Sequence, residues 1–375
     1  MNGPLAADEP YMRHALGLAA LGLNTTDPNP RVGCVLVRDG RIVGEGWHER
    51  AGSPHAEVCA LHSAGEAARG ATAYVSLEPC AAQGRTPACT AALVAAGVVR
   101  VVYAAADPNP QMAGGAERLR AAGLEVCGGL LAGEARELNV GFFSRHERRL
   151  PWVRVKLGAS LDGRTALANG ASRWITGERA RADVQLFRAR SSVVLTGAGT
   201  VIADDPALNV RLDGASRQPL RVVLDSNLRV PPTAHMLAGA GAAAVFTASA
   251  DAARRAALER LGVRVEVLPP ADGGIDLAAV LARLAALAAN EVWVEAGPTL
   301  TGALLAAGLV DELVVYMAPC LLGPQARPLA HLPALERLEE RLALSFQSVE
   351  RIGDDLRIIA RPTPPARGAD AQGHR

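Results

Sequence analysis

Three metal-binding side chains and one carboxylate constrain this chain most: His55-Ala56-Glu57, then Pro79-Cys80, then Cys89. One histidine and two cysteines suit zinc, which takes nitrogen and sulfur ligands in a tetrahedron. With water in the fourth position and a glutamate to shuttle protons, this is what a hydrolytic zinc deaminase requires. Pro54-His55-Ala56-Glu57 reads as a helix start, because proline is tolerated at the entrance of a helix. A strand ending at Leu77 leads into Glu78-Pro79-Cys80, so Cys80 sits at a strand-to-helix switch. Cys89 precedes a helical run from Thr90 to Ala96, and helix N-termini favour thiolates. Any one of these residues alone reads as a core cysteine or a surface histidine; all four in this order do not. Eight residues separate the cysteines, where zinc deaminases commonly place two. The longer loop is therefore a candidate substrate contact.

A chain of 375 residues has room for about two or three domains, each with its own core. The net charge is +1, and no basic stripe carries interleaved aromatics. That balance argues against a nucleic-acid polymer as substrate or partner. No apolar run reaches the roughly 18 residues needed to span a membrane. The first residues show no basic segment and no signal-peptide core, so a cytoplasmic location is expected. Cys34, Cys59, Cys127 and Cys320 lie in apolar segments and are expected to be small core residues.

Apolar and polar residues then lay out the elements. Residues 9–22 follow an amphipathic helix pattern. Asp39-Gly40 between two strand-like runs predicts a hairpin. Beyond it, strands and helices alternate through a final helix at 133–143, which predicts a largely parallel sheet covered on both faces. The charged segment from Ser144 to Pro151 reads as a connector. It sets domains at 1–147 and 148–362, with a Pro-, Gly- and Ala-rich tail over 363–375 expected to be disordered.

The second half has no Gly-x-Gly-x-x-Gly after a strand, so the usual dinucleotide fingerprint is absent. Instead Val292 to Leu300 reads as a buried strand, a glycine turn and a helix. Such a turn either points backbone N–H groups at a cofactor phosphate or is an ordinary joint. Leu195 to Thr200 is a weaker signal of the same kind. Lys156 alternates into an apolar strand, where a lysine is costly unless it meets a partner or ligand. Ala203 to Arg211 is either a plain loop with Asx-type turns or a phosphate site.

Taken together, the motifs resemble the bifunctional riboflavin-biosynthesis deaminase–reductase family across nearly the whole chain. They run from Pro28-Asn29-Pro30-Arg31-Val32-Gly33 through Pro54 to Val58, Leu77 to Cys80, Gly84 to Pro87 and Asp107 to Pro110. They continue with Lys156 to Arg164, Trp174-Ile175-Thr176, Ala203 to Pro206 and Val294 to Leu300. The long spacing between Cys80 and Cys89 is itself typical of that family.

This resemblance implies an α/β chain: an N-terminal cytidine-deaminase-like three-layer domain and a C-terminal dihydrofolate-reductase-like domain. It implies one Zn²⁺ per chain on His55, Cys80 and Cys89, with Glu57 as the catalytic acid–base. Asn29, His48 and Arg85 are implied as deaminase substrate contacts. NADPH is implied against Gly158, Trp174, Thr200, Asp204, Ser226, Gly297, Pro298, Thr299, Leu300, Thr301, Gly302 and Ala303. Ser172, Arg188, Leu208, Arg211 and Glu295 are implied against a ribosyl-phosphate pyrimidine, and Lys156, from its place in an apolar strand, is a further candidate substrate contact. The implied reactions are removal of the 2-amino group of a diaminopyrimidinone, followed by reduction of its ribosyl group to ribityl. A homo-oligomer is expected. One departure stands out: family members usually carry at least one histidine between Cys80 and Gly84, and here Ala81-Ala82-Gln83 takes its place.

Two competing readings follow from other classes. A nucleoside or tRNA deaminase fused to an unrelated reductase requires the short cysteine spacing, and for tRNA a basic face. A structural zinc module carrying a binding domain requires a closed set of four ligands, whereas three are evident and Glu57 has no purpose in it.

Overall fold

The computed structural model describes residues 5–82, 88–271 and 274–363. The chain forms two compact units, one of residues 1–151 with 285–290 and one of 152–284 with 291–375.

In the first unit, alternation within single strands sets the layers. The strands are β1 (Gly33–Arg38), β2 (Arg41–Trp47), β3 (Thr72–Leu77), β4 (Arg100–Ala105) and β5 (Glu125–Gly128), in the order β2-β1-β3-β4-β5. Successive side chains of a strand point to opposite faces. Val35, Val37, Tyr74 and Val102 therefore pack with Met12 and Ala15 of helix α1 (Glu9–Leu21), and with Phe142 and Phe143. Cys34, Leu36, Ala73, Val75 and Val101 face the other layer. That layer contains Ala56 and Ala60 of α2 (Ala56–Ala64), Leu93 of α3 (Cys89–Ala95) and Leu119 of α4 (Gly115–Ala121). The result is a three-layer α/β/α unit.

The expected parallel sheet is mixed here: β1 pairs antiparallel with both β2 and β3, and only β3, β4 and β5 run parallel. Asp39 and Gly40 both adopt positive φ (51° and 73°). They close the hairpin that turns β1 and β2 antiparallel, as that residue pair favours.

The single helix expected over 133–143 is two, α5 (Ala132–Leu138) and α6 (Val140–Arg148). Asn139 separates them because its side chain is engaged elsewhere. Its Oδ1 accepts from the Arg31 amide at 2.8 Å, and its Nδ2 donates to the Arg31 carbonyl at 2.9 Å. The charged segment that reads as a connector is largely the end of α6. Arg136 lies 4.2 Å over the Phe143 ring.

The second unit is built on nine strands: β6 (Trp152–Ser160), β8 (Val193–Gly197), β9 (Leu220–Leu224), β10 (Ala243–Thr247), β11 (Arg264–Val267), β14 (Glu291–Glu295), β15 (Glu312–Ala318), β17 (Leu344–Ile352) and β18 (Asp355–Pro362). Short pairs, β7 (Arg164–Ala166) with β16 (Arg327–Pro328) and β12 (Pro270–Ala271) with β13 (Gly274–Ile275), lie outside that sheet. The order is β11-β10-β9-β8-β14-β6-β15-β18-β17. The strands from β11 to β15 run parallel, and β18 and β17 add antiparallel. Helices α7 (Glu178–Arg190), α8 (Ala198–Asp204), α9 (Ala252–Glu259), α10 (Leu277–Ala286) and α11 (Pro298–Ala306) complete it.

Val194, Val223, Val245, Trp293, Val314 and Tyr316 form one core with Ala180, Val184 and Phe187 of α7. The Phe187 and Trp293 rings stack at 4.8 Å. Arg154 is buried at the start of β6 between Glu291 and Glu312, bonding Glu312 at 2.5 Å; Arg190 approaches Glu291 at 3.1 Å and Arg361 approaches Glu312 at 2.9 Å. Such a cluster tolerates burial only because each charge meets an opposite one.

Among the described residues no helix is long and apolar enough to cross a membrane. Cys34 and Cys127 are buried as expected, whereas Cys59 and Cys320 are only half-buried.

Candidate active sites

The first site lies at the C-terminal ends of β3 and β4. His55 is the N-cap of α2 in extended backbone (φ −72°, ψ 160°). Its Nδ1 lies 3.2 Å from Cys89 Sγ and 3.8 Å from Cys80 Sγ. The three ligand atoms fall within 4.8 Å of one another. Zinc bonds of about 2.0–2.3 Å in a tetrahedron put neighbouring ligand atoms about 3.5–3.8 Å apart. The two distances from His55 therefore fit a shared zinc with shifts of a few tenths of an ångström.

Hydrogen bonds with Cys89 and His55 push the Cys80 thiol well below its ordinary range. The Cys89 amide contributes by donating to its sulfur at 3.3 Å. A thiolate, the form that binds metal, is thus favoured before any metal arrives.

Backbone contacts hold the Cys80 segment rigidly. Glu78 accepts from the Ala116 amide at 2.9 Å and the Asp107 amide at 3.2 Å. Ala81 donates to the Met112 carbonyl at 2.9 Å. At Gly115, the first residue of α4, an added Cβ would lie 1.8 Å from the Pro79 carbonyl oxygen. Only glycine permits that approach.

Glu57 sits in the first turn of α2 and is 3% exposed. Burial raises its carboxyl above the ordinary range, which suits a group that must take and return a proton near neutrality. His48 lies beside the metal set, its ring centroid 5.7 Å from that of His55. Its Nδ1 is 3.0 Å from the Pro54 carbonyl and its Nε2 3.1 Å from Asn29 Nδ2. Donation from Nδ1 leaves Nε2 as an acceptor for the Asn29 amide, and burial pushes this histidine toward its neutral form. The Asn29 carbonyl oxygen is then left for a ligand. Asp107 is raised to about 6, by burial first and then by Glu78 and Cys80.

The second site is a cleft of about 1670 Å³ in the other unit. It opens at the C-terminal ends of β6, β8, β9 and β14, where ligands of parallel α/β sheets bind. On its floor Arg188 grips Glu295 with two bonds, Nε to Oε1 at 2.6 Å and Nη2 to Oε2 at 2.9 Å. Trp293 Nε1 also donates to Glu295 at 2.9 Å. Burial alone would raise the Glu295 carboxyl, but Arg188 overrides it and holds the group at about 2. Lys156 stands in the same wall. Burial pushes its ammonium below the ordinary range, and Glu295 opposes that shift.

Gly297 is the N-cap of the nine-residue helix α11, with Pro298 in the first position. An added Cβ at Gly297 would meet nothing nearer than Thr200 Oγ1 at 4.0 Å. The turn is therefore open toward the cleft. Backbone N–H groups at such a helix start suit a phosphate.

Comparison with known proteins finds a matching family domain in each unit. The RibD C-terminal domain family matches residues 151–358, and the cytidine and deoxycytidylate deaminase zinc-binding region matches residues 5–105. The riboflavin biosynthesis protein RibD of Escherichia coli K12 is 51% identical over 362 residues, covering 93% of this chain and 98% of the relative. The chain belongs to the RibD family of riboflavin biosynthesis proteins. It is accordingly a bifunctional enzyme, a zinc-binding deaminase and a reductase in one polypeptide. A solved structure of Acinetobacter baumannii RibD superposes with a TM-score of 0.90 at 44% identity, covering 96% of this chain and all of that one. A Thermotoga maritima structure described as diaminohydroxyphosphoribosylaminopyrimidine deaminase/5-amino-6-(5-phosphoribosylamino)uracil reductase superposes at 0.85 with 32% identity, covering 95% and 99%.

Most residues singled out from the sequence come together. His55, Cys80, Cys89, Glu57, His48 and Asn29 form one cluster. Lys156, Gly158, Ser172, Trp174, Arg188, Thr200, Asp204, Leu208, Arg211, Ser226 and Glu295 all line the cleft, with Gly297, Pro298, Thr299, Leu300 and Ala303. Thr301 and Gly302 do not. Thr301 is fully buried. Gly302 backs onto the His331 carbonyl oxygen, 2.0 Å from where a Cβ would be. They occupy the face of α11 turned into the fold, so the expectation for 297–303 narrows to the helix start and Ala303. Arg85 and Gln83 lie outside the described residues, as does the tail from 364.

Sequence reasoning quoted Asp107 without giving it a role, because its burial against Glu78 and Cys80 depends on β3 and β4 being neighbours. It passed over Arg229 and His331, which also line the cleft. No spacing in the sequence marks either one.

Proposed function

We propose that the first unit removes the amino group from a 2,5-diamino-6-ribosylamino-pyrimidinone 5′-phosphate, and that the second uses NADPH to reduce the ribosyl chain of the product to ribityl. One observation carries the reading: an open three-ligand zinc set with a buried Glu57 beside it lies on the same chain as a large cleft lined by Lys156 and a Glu295–Arg188 pair. The substrates are those for which the Thermotoga relative is described.

In the deaminase, one zinc per chain on His55, Cys80 and Cys89 supplies Lewis acidity and a nucleophile at neutral pH. Glu57 takes one proton from the attacking water and gives it to the ring nitrogen, then carries the second proton of that oxygen to the amino group, which leaves as ammonia as the carbonyl forms. Its raised proton affinity keeps both protonation states within reach. Asn29, fixed by His48, offers its carbonyl oxygen to the base. Arg85, on the longer loop, is proposed for the substrate as well.

In the reductase, NADPH supplies a hydride. The α11 start at Gly297, Pro298 and Thr299 holds its phosphates, with Gly158, Trp174, Thr200, Asp204 and Ser226 completing the contacts. Ser172, Leu208 and Arg211 hold the ribosyl phosphate, while Lys156 and the neutral Arg188–Glu295 ion pair present fixed polar groups to the reacting sugar. We further propose a cytoplasmic homo-oligomer. The edge strand β17 leaves Leu344, Phe346 and Val349 exposed, and a second copy of the chain would cover them.

The test is incubation of the purified protein with the diaminopyrimidinone ribosyl phosphate. Ammonia release without NADPH, and NADPH oxidation only after that release, support the reading. Ammonia release from cytidine or tRNA instead would replace it.

A further inference from the structure

We infer that Arg229 reads the 2′-phosphate of the dinucleotide and makes the cleft selective for NADPH over NADH. This rests on the proposed reductase reading and adds to it the residue that sets cofactor choice.

The direction in which a dinucleotide lies follows from the strand order. Gly297 follows the end of β14, so the pyrophosphate sits near the middle of the cleft. Lys156 and Gly158 of β6, the neighbour of β14 on one side, bring the reacting centre there with Glu295 and Arg188. The nicotinamide must lie on that side. The adenosine half must therefore extend the other way, over β8 and on to the end of β9 at Leu224 and Ser226.

Arg229 is the cation lining that end. Three other cleft arginines are engaged elsewhere. Arg173 and Arg181 lie against the Trp174 ring, at 5.8 and 4.5 Å, and Arg188 holds Glu295. Among the described residues Arg229 has neither a hydrogen bond nor an ion pair. The turn that carries it is rigid, however. Asp225 is buried and accepts from the Val230 amide at 2.7 Å. Leu228 is buried with φ 52°, and its amide donates to the Asp225 carbonyl at 3.2 Å. Arg254 clamps the Leu228 carbonyl at 3.2 Å from behind.

An exposed guanidinium on a fixed turn, without a carboxylate partner among the described residues, suits a dianionic phosphate that it can grip with two bonds. The nearby Asp276 could favour NADH by accepting from the 2′-hydroxyl. Its Oδ1 accepts from the Ala278 and Ala279 amides at 2.9 and 3.0 Å, which ties the carboxylate to the start of α10.

The experiment is calorimetric titration of the full-length, zinc-loaded protein with NADPH and with NADH, for wild type, Arg229→Ala and Arg229→Lys. Arg229→Ala should weaken NADPH binding about 10- to 100-fold and leave NADH within about twofold. Arg229→Lys should retain part of the preference. The wild-type preference should also shrink as salt rises. Equal weakening of both cofactors, or no weakening of NADPH, overturns the assignment. Lysine retaining none of the preference would also count against a charge-based contact. A folded wild type that binds neither cofactor would overturn the reductase reading itself, a result distinct from one confined to the variants.

Discussion

Replacing Arg188 with leucine should destabilise the reductase unit by about 3–5 kcal/mol, because it leaves a buried carboxylate without its guanidinium. The structure supports that magnitude from a second direction. Glu295 is held at about 2 against an ordinary 4.5, a difference worth about 3 kcal/mol. Lys156 remains nearby and keeps the loss toward the lower bound. Three of the four tryptophans, Trp152, Trp174 and Trp293, belong to this unit, so urea unfolding followed by tryptophan fluorescence reports on it. With a slope of about 2–3 kcal/mol per molar urea, the midpoint should fall by about 1–2 M.

The pH dependence has a definite sign. A carboxyl whose folded pKa is depressed contributes stability in full above its unfolded value, and loses it as pH falls through the folded value. The gap between wild type and variant should therefore be widest at neutral pH and close between about 4.5 and about 2. The double variant Arg188→Leu/Glu295→Leu should be less damaged than the two single losses added together, since no unpaired carboxylate remains. Additivity within about 0.5 kcal/mol, or a gap that widens in acid, would refute the pairing argument.

Glu57→Gln should retain zinc by metal analysis and lose deamination by about 10²- to 10⁴-fold; loss of the metal would mean the carboxylate is a ligand. Gly115→Ala should push on the Pro79 carbonyl and weaken zinc binding about tenfold or more, checked by competition with a chelator; unchanged affinity would show that the Cys80 segment can yield. Gly297→Asp should abolish NADPH binding by repelling its phosphates while ammonia release persists; a normal titration curve would move the phosphate site away from α11.

The zinc set was legible because its chemistry is carried by rare residue types in a fixed order. The Val292–Leu300 turn was legible as a strand–glycine–helix joint but ambiguous in purpose, since a joint and a phosphate site look alike until the cleft is seen to open there. Local pattern failed where a distant residue decided the outcome. The helix break at Asn139 depends on Arg31, more than a hundred positions away. Antiparallel pairing of β1 with β3 depends on which strand edge is free, and alternation within β1 does not specify that. Arg188 carries no periodic signal that separates it from Arg190, yet one grips Glu295 in the cleft and the other approaches Glu291 in the buried cluster. Spacing along α7 does not reveal this, because the partners come from either end of β14.

Both chemistries use the same property of parallel strands. Where adjacent strands run parallel, each must leave the sheet at the same end and return by a crossover, so loops and helix starts gather there. In the first unit β3 ends in Glu78-Pro79-Cys80 and β4 leads to Asp107, while the starts of α3 and α4 face them. In the second unit Gly158 near the end of β6, Gly197 at the end of β8, and Ser226 and Gly297 just past the ends of β9 and β14 line the cleft. A metal ligand is needed in one case and an open backbone in the other. This explains why cysteine occupies one set of strand ends and glycine recurs in the second. Swapping those residue types would remove each function without disturbing either sheet. Glycine at Cys80 would remove a thiolate from a segment already pinned by Glu78 and Met112. A side chain at Gly297 would fill the space a phosphate needs beside Thr200.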